Sequence, residues 1–88
     1  MGTEGKAVSL RVYVARHCST CAEAFRLVAE ARAMFTGINI EVIDLELGGR
    51  QDLENIFSVP TYVLDGRTIF LGNPSLNELF SHIAEALS

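Results

Sequence analysis

Four apolar positions alternate with polar ones near the start of the chain. Val8, Leu10, Val12 and Val14 are separated by Ser9, Arg11 and Tyr13. This is the period of a strand with one face on a core, and its β-branched residues favour that state. The period then changes. Ala24, Leu27, Val28, Ala31, Met34 and Phe35 recur at helical spacing, with Glu23, Arg26 and Glu30 on the opposite face. A helix is predicted over residues 19–35, with Gly37 as its cap. Ile38-Asn39-Ile40-Glu41-Val42-Ile43 predicts a second strand. Gly48-Gly49 breaks the pattern, and a short helix is predicted over about residues 50–57.

Two more short apolar runs, residues 61–64 and 68–71, flank Asp65-Gly66. Asp and Gly both tolerate positive φ, so this pair predicts a tight hairpin between a third and a fourth strand. Asn73-Pro74 supplies a turn, and Ser75 with Glu78 three residues later predicts a capping box. The helix behind it packs through Leu76, Leu79, Phe80, Ile83 and Leu87. Phe25, Phe35, Phe57, Phe70 and Phe80 read as core, and His82 as a boundary residue of the last helix. The order is β-α-β-α-β-β-α. Its βαβ half predicts two parallel strands and the hairpin adds two antiparallel ones. The expected class is α/β: three layers around a four-stranded mixed sheet.

The chain has 88 residues, which supports one domain, expected over 7–88 behind a flexible tail at 1–6. Apolar residues are 49% and charged residues 20%, the balance of a globular domain. The net charge is −4 and the seven basic residues are scattered. A phosphate-tracking stripe cannot form from them, so nucleic acid is not an expected partner. No apolar run approaches a membrane span, and no signal-peptide core follows Met1. A cytoplasmic address and no membrane partner are the expectations.

Chemistry concentrates in the only two cysteines, Cys18 and Cys21. Three positions apart, they close almost no loop and cannot staple a scaffold. Such a pair is redox-active or metal-binding. Its place at a strand-to-helix junction favours the first. Unpaired N–H groups and the dipole at a helix start stabilise an anion, which lowers a thiol pKa below its free value of ~8.5. Cys18 is then the attacking thiolate and Cys21, one turn on and less exposed, the resolving one. His17 is either a cation that lowers the Cys18 pKa further or a solvated loop residue; Arg16 adds positive potential under both readings, and Glu23 opposes it. A four-ligand zinc site would have to recruit His17 and His82, which are poorly spaced for it. A dimer pooling two cysteine pairs around a metal or iron–sulfur cluster stays open as an alternative.

With these residues in view, the chain resembles thioredoxin-fold redox proteins and is close in size to the glutaredoxins. The resemblance rests on Cys18-Ser19-Thr20-Cys21 after the first strand, on Val59-Pro60-Thr61 opening the third, and on Gly72 and Ser75 before the last helix. It covers residues 7–88. It implies a cis proline at Pro60 facing the cysteines, and a substrate segment pairing with the backbone at Val59, with Pro60 and Thr61 beside it. It implies a thiol–disulfide oxidoreductase of electron transport and cell redox homeostasis. That enzyme would have no cofactor, protein or small-thiol disulfides as substrates, and a thiol or a flavin reductase as electron donor. A monomer is expected. The chain departs from the family at several points. His17 stands where thioredoxins carry Trp, and Val12 where they carry a buried acid. Ser19-Thr20 replaces both Gly-Pro and the glutaredoxin Pro-Tyr. Gly72-Asn73-Pro74-Ser75 lacks the acid with which glutaredoxins hold glutathione.

Overall fold

A computed structural model describes residues 8–15, 20–45 and 59–88. The predicted tail at 1–6, the predicted helix near 50–57 and Phe57 lie outside the described residues. The elements are β1 (Val8–Val14), α1 (Cys21–Met34), β2 (Ile38–Asp44), β3 (Thr61–Leu64), β4 (Arg67–Leu71) and α2 (Leu76–Leu87).

The strands form one mixed sheet in the order β2-β1-β3-β4. β1 runs parallel to β2 from Val8 opposite Ile38 to Val14 opposite Asp44. β3 runs antiparallel to both β1 and β4. The central place of β1 explains its side chains. Val8, Leu10, Val12 and Val14 all enter the core, against Ile40 of β2 and Tyr62 and Leu64 of β3. The same core takes Ala24, Leu27, Val28 and Ala31 of α1 and Leu79 and Ile83 of α2. Both described helices therefore cover one face of the sheet. Their contact includes Phe35 edge-on to Phe80, ring centroids 5.3 Å apart. On the other face Arg11 pairs with Glu41 across the strands at 3.5 Å, exposed to solvent. Tyr13 and Thr61, neighbours across β1 and β3, are buried on that face.

Local chemistry sets the connections. Asp65 (φ 51°) and Gly66 (φ 84°) both take the left-handed region, as a two-residue hairpin requires. The hairpin is pinned to β1: Ser9 N–H donates to Asp65 Oδ1 at 2.9 Å, and Asp65 N–H donates to Ser9 O at 2.8 Å. The capping box forms in full, with Glu78 N–H donating to Ser75 Oγ and Ser75 N–H to Glu78 Oε1.

The structure departs from the sequence expectations at several points. α1 is described from Cys21, and the predicted start at residue 19 lies outside the described residues. Thr20 is the residue before it, with helical φ and ψ and no side-chain cap. Gly37 is not a left-handed cap. The helix ends because Phe35 turns extended while its N–H still bonds Ala31 O. Met34 (61% exposed) and Phe25 (52%) leave the core, and Leu87 is exposed too. Met34 and Leu87 are the last residues of their helices, and Phe25 lies on the side of α1 turned away from Leu27 and Ala31. β4 begins at Arg67, one residue early. A bulge between Tyr62 and Val63 sets Phe70 opposite Tyr62 and Thr68 opposite Val63, leaving Ile69 as the extra residue.

Candidate active site

Three segments meet at one end of the sheet. The first is the start of α1, Thr20 and Cys21. Cys21 is 2% exposed and belongs to the core cluster, so it sits behind the surface. Its partner Cys18 and the flanking Arg16 and His17 lie outside the described residues.

The second segment is Val59-Pro60-Thr61. The Val59–Pro60 peptide bond is cis. Thr61 opens β3 and lies opposite Tyr13, near the end of β1 that leads toward the cysteines. Pro60 and Thr61 are buried, whereas Val59 is half-buried. Of the three residues expected to meet substrate, Val59 is the one whose side chain reaches the surface.

The third segment is Gly72-Asn73, where β4 ends. Leu71 lies opposite Thr61, so β4 delivers this turn beside the cis proline. Gly72 (φ 109°) uses the left-handed freedom of glycine here, and its N–H donates to Pro60 O at 2.7 Å. Asn73 Nδ2 donates to Thr20 O at 2.8 Å. Asn73 Oδ1 accepts from the Tyr62 hydroxyl at 2.9 Å. The three segments are thus stitched together by hydrogen bonds, with Asn73 touching the Cys-x-x-Cys segment itself. Leu71, 67% exposed, adds an apolar side chain at the rim.

Glu23 does not act as a lone opposing charge. Arg26 Nε donates to its Oε1 at 3.0 Å, and that hydrogen bond, with the guanidinium charge, holds the Glu23 carboxyl below its ordinary range. Burial, and secondarily the Glu23 charge, push the Tyr62 hydroxyl far above its ordinary value, so it stays a neutral donor. His82 is exposed on α2, its ring edge-on to Phe70 of β4 with centroids 4.9 Å apart.

Tyr62 and Asn73 were not singled out by the sequence. A tyrosine on the buried face of a strand does signal a hydroxyl in need of a partner. Asn73 read only as a turn residue before Pro74. A contact 53 residues along the chain leaves no local trace.

Comparison with known proteins agrees with this geometry. No protein-family model matches the chain. A protein named as a probable thioredoxin from Methanothermobacter thermautotrophicus is 30% identical over 82 residues, covering 91% of this chain and 96% of that protein. Among solved structures, thioredoxin-2 of the malaria parasite superposes with a TM-score of 0.79 at 18% identity, over 90% of this chain and 82% of that one. Thioredoxin O2 from Arabidopsis thaliana gives 0.71 at 17% identity, over 92% and 76%. The structural likeness establishes the fold, and the identity carried along nearly the whole length of the archaeal relative establishes the kinship: the chain belongs to the thioredoxin family.

Proposed function

We propose that the protein is a thiol–disulfide oxidoreductase that cycles Cys18 and Cys21 between dithiol and disulfide. Its substrates are protein or small-thiol disulfides. The observation that supports this most is the arrangement of Cys21, the cis Pro60 and the Gly72-Asn73 turn at one end of the sheet. A disulfide-bearing segment laid along Val59 in extended form would bring its sulfurs to the start of α1.

In the reducing direction, the Cys18 thiolate attacks one substrate sulfur. A mixed disulfide forms, and the other substrate sulfur leaves as a thiolate. Cys21, deprotonated by solvent, then attacks Cys18. The Cys18–Cys21 bond forms and the second substrate sulfur leaves, so the substrate gains the two electrons the protein loses. A thiol or a flavin reductase restores the dithiol. His17 and Arg16 supply positive potential that keeps Cys18 ionised. The cycle needs one subunit, no metal and no organic cofactor. We assign it to the cytoplasm, where such reductants operate. Among the described residues no helix is long and apolar enough to cross a membrane.

The test is trapping. Cys21→Ser mixed with a peptide disulfide should accumulate a mixed disulfide, visible as added intact mass, and Cys18→Ser should accumulate none. Failure of both variants to trap would contradict the proposal. So would a brown, cysteine-dependent dimer from anaerobic purification, which would assign the cysteines to a cluster.

A further inference from the structure

The carbonyl of Thr20, inside the Cys-x-x-Cys segment, carries two hydrogen bonds. One comes from Glu23 N–H at 3.2 Å and belongs to the first turn of α1. The other comes from Asn73 Nδ2 at 2.8 Å, from the turn that ends β4, 53 residues along the chain. A peptide carbonyl only accepts, so the amide nitrogen of Asn73 must face it. That orientation leaves Asn73 Oδ1 for the Tyr62 hydroxyl, which donates at 2.9 Å. Tyr62 is wholly buried, with its ring edge-on to Phe70 at 6.2 Å, so its hydroxyl is fixed in place. The residue before Asn73 is anchored as well, through Gly72 N–H to Pro60 O. Every link from the core to the Thr20–Cys21 peptide is therefore held at both ends.

We infer that Asn73, oriented by Tyr62, is a positioning residue that holds the Thr20–Cys21 peptide for the resolving step. The inference rests on the exchange reading above. In that step the Cys21 sulfur attacks Cys18, the Cys18–Cys21 bond forms, the Cys18–substrate bond breaks, and the substrate leaves as a thiolate. Asn73 touches neither sulfur nor substrate. It limits how far the peptide bearing Cys21 can swing, and displacement reactions are steep in the placement of the attacking atom. The initial attack uses Cys18 alone and does not need the link.

Three variants separate the parts. Asn73→Asp keeps an acceptor for Tyr62 but cannot donate to Thr20 O. Asn73→Ala removes both bonds. Tyr62→Phe keeps the ring packing and frees the amide to rotate. Each reduced protein is mixed with a peptide disulfide in single turnover, quenched with acid, and followed by intact mass. The expected result is a Cys18 attack rate within about twofold of the parent and a release rate lowered about 3–10-fold in both Asn73 variants, the scale of one lost hydrogen bond. Raised salt should leave Asn73→Asp as slow as Asn73→Ala, which separates the lost donor from the added charge. Tyr62→Phe should slow release less, and add nothing to Asn73→Ala.

Parent-like release in any variant that folds by circular dichroism overturns the inference. An equal fall in attack and release also overturns it, since that marks a merely structural role. If Asn73→Ala does not fold, Asn73→Asp and Tyr62→Phe carry the test. A parent protein that forms no mixed disulfide would bring down the exchange reading and this role together, whereas a competent parent with unchanged variants brings down this role alone.

Discussion

Tyr62 joins two properties that usually conflict, complete burial and a polar hydroxyl. The Asn73 acceptor reconciles them. The same burial makes the residue sensitive to alkali. Its folded pKa is raised above the unfolded value of about 10. Below pH ~10 both states keep the proton and the stabilisation is fully present. Above it the unfolded chain loses a proton that the folded one retains, so stability falls by up to about 1.4 kcal/mol per pH unit. Urea unfolding of the parent from pH 9 to 11 should show that slope, and Tyr62→Phe should flatten it. An identical slope in the variant would mean Tyr62 is not the group responsible. Leu27 tests the core more simply. It is wholly buried between α1 and the sheet, so Leu27→Ala should cost about 2–5 kcal/mol in the same assay.

Among the elements, the hairpin and α2 are the ones local chemistry dictates. Gly66 sits at φ 84° with open space where a Cβ would stand, so Gly66→Ala meets backbone strain alone. A loss of about 1–2 kcal/mol is expected from chemical denaturation. These elements were legible because their signals are local: the alternation in β1, the Asp-Gly pair, and Ser75 with Glu78. The end of α1 was not, because Phe35 turns extended before the chain reaches Gly37, the residue whose identity suggested a cap. Nor was the bulge in β4. It follows from how Ile69 and Phe70 both pack against the core cluster, which depends on the partner strand and α2. Met34 sits on the apolar stripe yet is exposed because it is the last residue of α1, and Phe25, read as core only for being a phenylalanine, lies off that stripe. Helical spacing fixes an angle around the helix, but not where along its axis the packing ends.

The whole molecule brings Cys21, Pro60 and Asn73 together from three distant parts of the chain. The first two were legible because Cys-x-x-Cys and Val-Pro-Thr in this element order resemble a known family. Asn73 was not, since it joins the site only through the register of β3 and β4. Three segments of the described chain are stitched to each other at this end of the sheet, and the proposed exchange chemistry is assigned to it. The account turns on whether the two cysteines form one exchanging couple. Equilibrating the protein across glutathione buffers, acid-quenching, and reading intact mass tests this most directly. The account predicts a single two-electron transition, in which two hydrogens are lost together, with a midpoint between roughly −300 and −120 mV, the span of exchanging dithiols. It should vanish in either Cys18→Ser or Cys21→Ser. Cysteines that stay reduced across that whole range, or a glutathione adduct on each in place of a joint bond, would contradict it.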